Sequence, residues 1–223
     1  MNPRNTLAIA TATGQIGVAL AEPDGLAAAL SVRAGRRHGE TLAPAIQSLL
    51  ALTGLALSDV GLIAVDHGPG LFTGLRVGVA TAKALGAALE IPVVPCSSLD
   101  LLAHPHRGTG RPVASIVDAR RGEVFWALYE PVAGGMTAVS EAVATDPDVL
   151  ADKLSEVDSV LLTGDGARRF FAGRGFDIAP EEFDHPSAGV LAQMARTRPA
   201  QTPDEVQPLY LRGADVRIGW EER

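Results

Sequence analysis

The period of apolar and polar positions changes repeatedly along this chain, and each change predicts an element. Leu7-Ala8-Ile9-Ala10, Ile16-Gly17-Val18-Ala19-Leu20 and Leu26 to Val32 are short apolar runs separated by Thr13-Gly14-Gln15 and Pro23-Asp24-Gly25. Turn residues between such runs predict three successive antiparallel strands. From Glu40 to Leu52 the spacing becomes helical: Leu42, Ile46, Leu49 and Leu50 share one stripe, and Pro44 falls in the first turn, where its missing N–H costs little. A buried strand is predicted at Leu62 to Val65, a break at Gly68-Pro69-Gly70, a second helix from Thr73 to Leu89 and a further strand from Ile91 to Pro95.

His104-Pro105-His106-Arg107-Gly108-Thr109-Gly110-Arg111-Pro112 is polar and rich in Pro and Gly, which marks residues 104–112 as a linker between lobes. Beyond it the same plan restarts. Strands are predicted at Val113 to Val117, Val124 to Tyr129 and about Met136 to Val143, then a helix at Asp148 to Leu154 and a strand at Val160 to Thr163. The order of elements repeats at an offset of about a hundred residues, so residues 1–103 and 113–186 read as two copies of one α/β lobe, mixed sheets flanked by helices. Ser187 to Arg196 predicts a helix, so that residues 187–223 pack back on the first lobe, with a Pro-marked extended tail from Thr202 to Leu211.

Composition narrows the function. The chain is 47% hydrophobic with only 4% aromatics, so its core is built of Ala, Val, Leu and Ile, as when helices lie closely on a sheet. A net charge of -7 leaves no cationic excess for a broad nucleic-acid footprint, so any RNA is expected to be held by a partner. The single Cys96 sits in the apolar run Val93-Val94-Pro95-Cys96 and reads as a buried structural thiol. No stretch reaches the roughly 18 apolar residues of a membrane span, and Met1-Asn2-Pro3-Arg4-Asn5 runs into a strand rather than a signal-peptide core. The expected compartment is the cytoplasm, with no membrane contact.

Candidate chemistry is sparse. Gly68-Pro69-Gly70-Leu71-Phe72-Thr73-Gly74 precedes a helix and could offer N–H groups to an anion, but it lacks the Lys of a P-loop. The first hairpin, Ala10-Thr11-Ala12-Thr13-Gly14, sits where a two-lobed nucleotide-binding fold places a carboxylate for magnesium, and Ala10 has no ligand atom. A vestigial nucleotide or anion loop would consist of Thr11, Thr13, Gly68, Gly70 and Asp118. Asp118 belongs to the charged turn of the second hairpin, with Arg120, Arg121 and Glu123, a group that is either solvated or holds a loop or ligand. His38, His67, His104, His106 and His185 include no pair four residues apart on a helix, so no metal is expected. Neither Ser97 nor Ser98 lies in a nucleophile elbow, and no catalytic residue or cofactor is assigned.

The second helix is apolar nearly all round, with Arg76, Thr81 and Lys83 its only polar residues from Gly74 to Leu89. Leu75, Val79, Ala82, Gly86 and Leu89 suffice to cover a sheet, which leaves Val77, Ala80, Thr81, Ala84 and Ala88 as a second stripe of small residues. Such a stripe lets another helix approach closely and marks an interface, unless the helix is wholly buried within one chain.

Several segments together resemble the bacterial TsaB (YeaZ) family: His38-Gly39-Glu40-Thr41-Leu42, Gly68 to Arg76 with Gly78 to Gly86, Ser97-Ser98-Leu99, Asp118 to Val124, Gly164-Asp165-Gly166-Ala167 and Pro208 to Arg212. The resemblance implies an actin-like, sugar-kinase-like (ASKHA) duplicated fold. It also implies a non-catalytic partner of TsaD, which transfers threonylcarbamoyl to the adenosine beside the tRNA anticodon, with the ATPase TsaE joining the pair. Partner contacts are expected at Leu42, Ala45, Ile46 and Leu49 of the first helix and at Val77, Ala80, Thr81, Ala84 and Ala88 of the second, the same surface serving a homodimer when the chain is alone. Many members carry Asp where this chain has Ala10, Ser where it has Gly39, and Ser where it has Leu71. The rival readings are an ASKHA small-molecule phosphotransferase and, through kinship alone, a peptidase.

Overall fold

The computed structural model describes residues 4–35 and 37–211. The tail that carries Trp220, the Arg212 of the last motif and the end of the 187–223 segment lie outside the described residues. In the first lobe, β1 (Asn5–Ala10), β2 (Gln15–Glu22) and β3 (Gly25–Arg33) form an antiparallel meander, followed by α1 (His38–Thr53), β4 (Val60–Gly68), α2 (Phe72–Ala88) and β5 (Val93–Ser97). The sheet order is β3-β2-β1-β4-β5, with β1, β4 and β5 parallel to one another. Strands covered on both faces read as continuous apolar runs, which is why the sequence of β1 shows no alternation.

The two faces of that sheet differ in the size of their side chains. Leu7 and Ile9 of β1 point with Val18 and Leu20 toward α1 and α2, and meet Leu42, Leu49 and Val79. Ala8 and Ala10 point the other way with Ala19 and Ala64, toward α6 (Ala188–Ala195). Small residues let α6 lie close: a Cβ on Gly17 would come 3.2 Å from the Ala188 Cβ.

The second lobe repeats the plan with β6 (Val113–Arg120), β7 (Glu123–Val132), β8 (Gly135–Ala138), β9 (Val143–Thr145), α4 (Pro147–Ser155), β10 (Leu161–Thr163), α5 (Asp165–Phe171) and β11 (Asp177–Ile178). Its order, β11-β10-β6-β7-β8, is that of the first sheet with β6 in the place of β1, as the duplication predicts. The single third strand expected at about 136–143 is two pieces. β8 pairs with Tyr129–Val132 and β9 with Val124–Trp126, and between them the chain bulges while the Ser140 hydroxyl accepts the Leu128 N–H at 2.9 Å.

Each lobe is closed by a helix that follows the other. α3 (Ser98–Ala103) leaves β5 of the first lobe and packs Leu99, Leu102 and Ala103 against Val113, Val117, Phe125 and Tyr129 of the second. α6 follows the second lobe and covers the first. The 104–112 segment is correspondingly packed rather than loose. His104–His106 forms a 3-10 turn, buried His106 places Nε2 3.1 Å from the Thr163 hydroxyl, and Arg111 donates to the Ser159 carbonyl at 2.7 Å.

Candidate functional site

The chain leaves β4 at Gly68 and enters α2 at Phe72, with Gly70, Gly74 and Gly78 at a four-residue spacing that aligns them along one side. That side rests directly on the β1–β2 hairpin. A Cβ on Gly70 would stand 2.2 Å from the Ala12 carbonyl oxygen, one on Gly74 2.0 Å from the Thr11 carbonyl oxygen and one on Gly78 2.2 Å from Thr11 Oγ1. The Leu71 N–H donates to the Ala12 carbonyl at 2.7 Å, and the Thr11 hydroxyl donates to the Gly74 carbonyl at 2.8 Å. His38, buried at the start of α1, donates from Nε2 to the Thr13 carbonyl at 2.8 Å. Thr11 and Thr13 are both buried, and the Ala12 carbonyl of the chain's own hairpin takes the Leu71 amide. In the loop expected to receive an anion, Gly70, Gly74 and Gly78 serve the close approach of helix to hairpin, while Gly68 lies against the Leu209 carbonyl and Leu75.

Behind the loop lies a carboxylate that sequence reasoning missed. Asp66 is fully buried near the end of β4; its Oδ1 accepts from the Ser98 hydroxyl at 2.5 Å and the Gly68 N–H at 3.1 Å. Burial pushes its pKa up to about 7, against the pull of those bonds and of the Ala12 N–H. Asp66 thereby joins β4, the first hairpin and the first residue of α3, where the chain crosses to the second lobe. The signal in the sequence was an acidic residue directly after the apolar run Leu62 to Val65.

Asp118 does not join the first-lobe loop. Its Oδ1 accepts the Arg120 N–H at 2.8 Å, and its Oδ2 receives the guanidinium groups of Arg120 at 2.9 Å and Arg169 at 2.7 Å. Arg120 and Arg121 both have positive φ, 62° and 57°, so Asp118 holds a hairpin turn that non-glycine residues rarely adopt. The Asp118 N–H donates to Asp165 Oδ1 at 3.0 Å, and burial raises the Asp165 carboxyl to about 6. Cys96 is fully buried, which lifts its thiol to about 11.

The exposed face of the two helices differs from expectation in one half. Leu42, Ala45, Ile46 and Leu49 lie in the chain's own core beneath α1, because the stripe that defines that helix is the one it spends on its sheet. They are not available to a partner; α1 instead exposes Ala43, Gln47, Ala51 and Leu52. On α2, Leu75, Val79, Ala82 and Gly86 are buried, Thr81 and the C-cap residue Leu89 are half-buried, Ala80, Ala84 and Ala88 are exposed, and Val77, read as part of the outer stripe, is half-buried against the chain's own core.

Residues 201–211 run as a strap beside α2. Gln201 bridges Val93, and Val206 is buried in the first-lobe core. The Leu209 N–H donates to the His67 carbonyl at 2.7 Å, and His67 Nδ1 donates to the Gln207 carbonyl at 3.1 Å. Lys83, a rare polar residue of α2, donates to the Asp204 and Val206 carbonyls at 3.1 Å each. Leu211 reaches the second-lobe core cluster, so the strap also links the lobes.

A family model described as TsaD: tRNA N6-adenosine threonylcarbamoyltransferase matches residues 32–196. The tRNA threonylcarbamoyladenosine biosynthesis protein TsaB of Bacillus subtilis is 33% identical, covering 97% of both chains. That of Escherichia coli is 34% identical over 97% of this chain and 96% of its own length. The chain belongs to the TsaB (YeaZ) family. The solved YeaZ of Pseudomonas aeruginosa superposes with a TM-score of 0.80 at 29% identity, covering 93% of this chain and all of that one.

Membership places the chain among the proteins of tRNA threonylcarbamoyladenosine biosynthesis, with the duplicated actin-like, sugar-kinase-like architecture that the two equivalent sheets display. Ala10 is buried beneath α6 with Ala188. Among the described residues no three His, Cys, Asp or Glu side chains converge as metal ligands. None of the described helices is long and apolar enough to cross a membrane.

Proposed function

We propose that the chain is a non-catalytic subunit that pairs with the catalytic TsaD protein, joined by the ATPase TsaE, for threonylcarbamoyl transfer to the adenosine beside the tRNA anticodon. The observation that carries this reading is the outer stripe of α2. Ala80, Ala84 and Ala88 stand exposed on a helix whose other stripe already covers the sheet, so the small-residue surface is left uncovered by the described residues. A helix of the partner fits such a surface closely, and alone the chain covers it with a second copy. The non-catalytic role is supported by Ala10, apolar and buried, and by a glycine loop filled by Thr11 and Ala12. The net charge of -7 supports tRNA contact through the complex rather than by this subunit.

Light-scattering mass after gel filtration, on the chain alone and mixed with TsaD of the same organism, tests the pairing. A heteromer is expected, lost in Ala80→Arg with the circular dichroism spectrum unchanged. Separate elution of the two proteins, with and without nucleotide and TsaE, would instead favour the phosphotransferase reading and send the enquiry to Mg-ATP titration.

A further inference from the structure

Small side chains let a partner helix come near but bury little area themselves, so an interface built on the α2 stripe needs an anchor. The N-terminal end of the stripe carries three side chains suited to that role. The Arg76 guanidinium carbon lies 3.7 Å from the centroid of the Phe72 ring, and Arg76 Nε donates to the Tyr210 hydroxyl at 3.3 Å. The two rings stand 5.3 Å apart, and both remain open to solvent, Phe72 40% exposed and Tyr210 41%. Arg76 is exposed one turn before Ala80, continuous with the small-residue stripe.

Tyr210 arrives from the strap, more than a hundred residues away in sequence. Its position depends on the bonds of the strap to His67 and Lys83, so the cluster is assembled by the fold and not by helix spacing alone.

Among the described residues no carboxylate neutralises the charge of Arg76. In this acidic chain Arg111, Arg120, Arg168, Arg169, Arg174 and Arg198 each pair with a carboxylate, whereas among the described residues Arg76, like Arg107 and Arg196, pairs with none. Its Nε is used on Tyr210, and its Nη groups make no hydrogen bond among the described residues. A guanidinium already held by stacking loses little rotamer freedom when it meets a planar carboxylate. Arg and aromatic residues in such clusters dominate binding energy where small neighbours only exclude water.

We infer that Phe72, Arg76 and Tyr210 form the anchor of the partner interface, and that Arg76 receives a carboxylate side chain from the facing helix of the partner. The inference rests on the reading of the α2 face as the TsaD-binding surface. It adds the chemical identity of the contact, an acidic residue flanked by apolar ones, and gives the strap a part in partner recognition. The contact is charge-assisted and lies at the edge of the stripe, so binding weakens with ionic strength.

Calorimetric titration of the full chain with TsaD at low and high salt tests this, using wild type, Arg76→Ala, Arg76→Lys, Tyr210→Phe and Arg107→Ala as a charge-matched control. Arg76→Ala is expected to weaken binding by about 30-fold and to flatten its salt dependence. Arg76→Lys restores only part, because an ammonium neither stacks nor forks, and Tyr210→Phe costs several-fold. Arg107→Ala stays within about twofold, as an exposed charge away from the interface should. Thermal melting of each variant checks folding, and Arg76→Gln, which keeps more of the stem, gives the same comparison should Arg76→Ala melt early.

If wild type forms no complex, the subunit reading itself fails. If wild type binds and Arg76→Ala binds as tightly with the same salt dependence, the anchor is overturned while the α2 interface stands. Loss of self-association with TsaD binding intact would also overturn it.

Discussion

At the level of single residues, the glycines of this chain are explained by what they touch rather than by a ligand. Gly74 lies against the Thr11 carbonyl so closely that Gly74→Ala should destabilise the fold by about 3 kcal/mol in chemical denaturation. Gly14, whose added Cβ would meet nothing within 4 Å, supplies the control: Gly14→Ala should leave the midpoint nearly unchanged. Asp66 sets a pH dependence. Its folded pKa of about 7 lies above the ordinary 3.8, so between these values the folded state keeps a proton that the unfolded chain releases. Its contribution to stability therefore falls as pH rises through that window, and Asp165, raised to about 6, adds in the same direction. Asp66→Asn keeps an acceptor for Ser98 and Gly68 but cannot ionise. Melting temperatures at about pH 5 and about pH 8 should fall less in Asp66→Asn than in wild type; equal slopes would remove Asp66 as the source.

At the level of elements, the hydrophobic period was sufficient to locate α1, α2, α4, α6 and most strands, because each spends an apolar stripe or run on a sheet. The period does not say which of two apolar stripes faces a sheet when both exist. For α2 the sequence named Leu75 and Val79 as able to serve the sheet, and both are buried, but it left open which stripe meets a partner. For α1 the only apolar stripe was assigned to a partner, yet Leu42 and Leu49 had to cover β1 and β2 first. The bulge at Ser140 and the short β11 were illegible, since both depend on pairing across the sheet and not on local pattern. The strap was seen as an extended tail, but its grip on Lys83 and His67 joins residues 121 and 140 positions distant or more, beyond the reach of local spacing. The cluster of Phe72, Arg76 and Tyr210 was missed for the same reason.

At the level of the whole molecule, the exchange of α3 and α6 between lobes and the strap tie one half to the other, and Asp66 holds the start of α3. The first lobe spends its glycine loop on internal packing and leaves the α2 face outward. The proposed role of the chain is accordingly to support another protein rather than to perform chemistry between its own lobes. The most direct measurement of that claim is threonylcarbamoyl transfer to unmodified tRNA from the threonylcarbamoyl adenylate, in the presence of TsaE and ATP, with TsaD alone, this chain alone and both together. The account predicts transfer only when TsaD and this chain are combined. Transfer by this chain without TsaD, or by TsaD at the same rate without this chain, would contradict it.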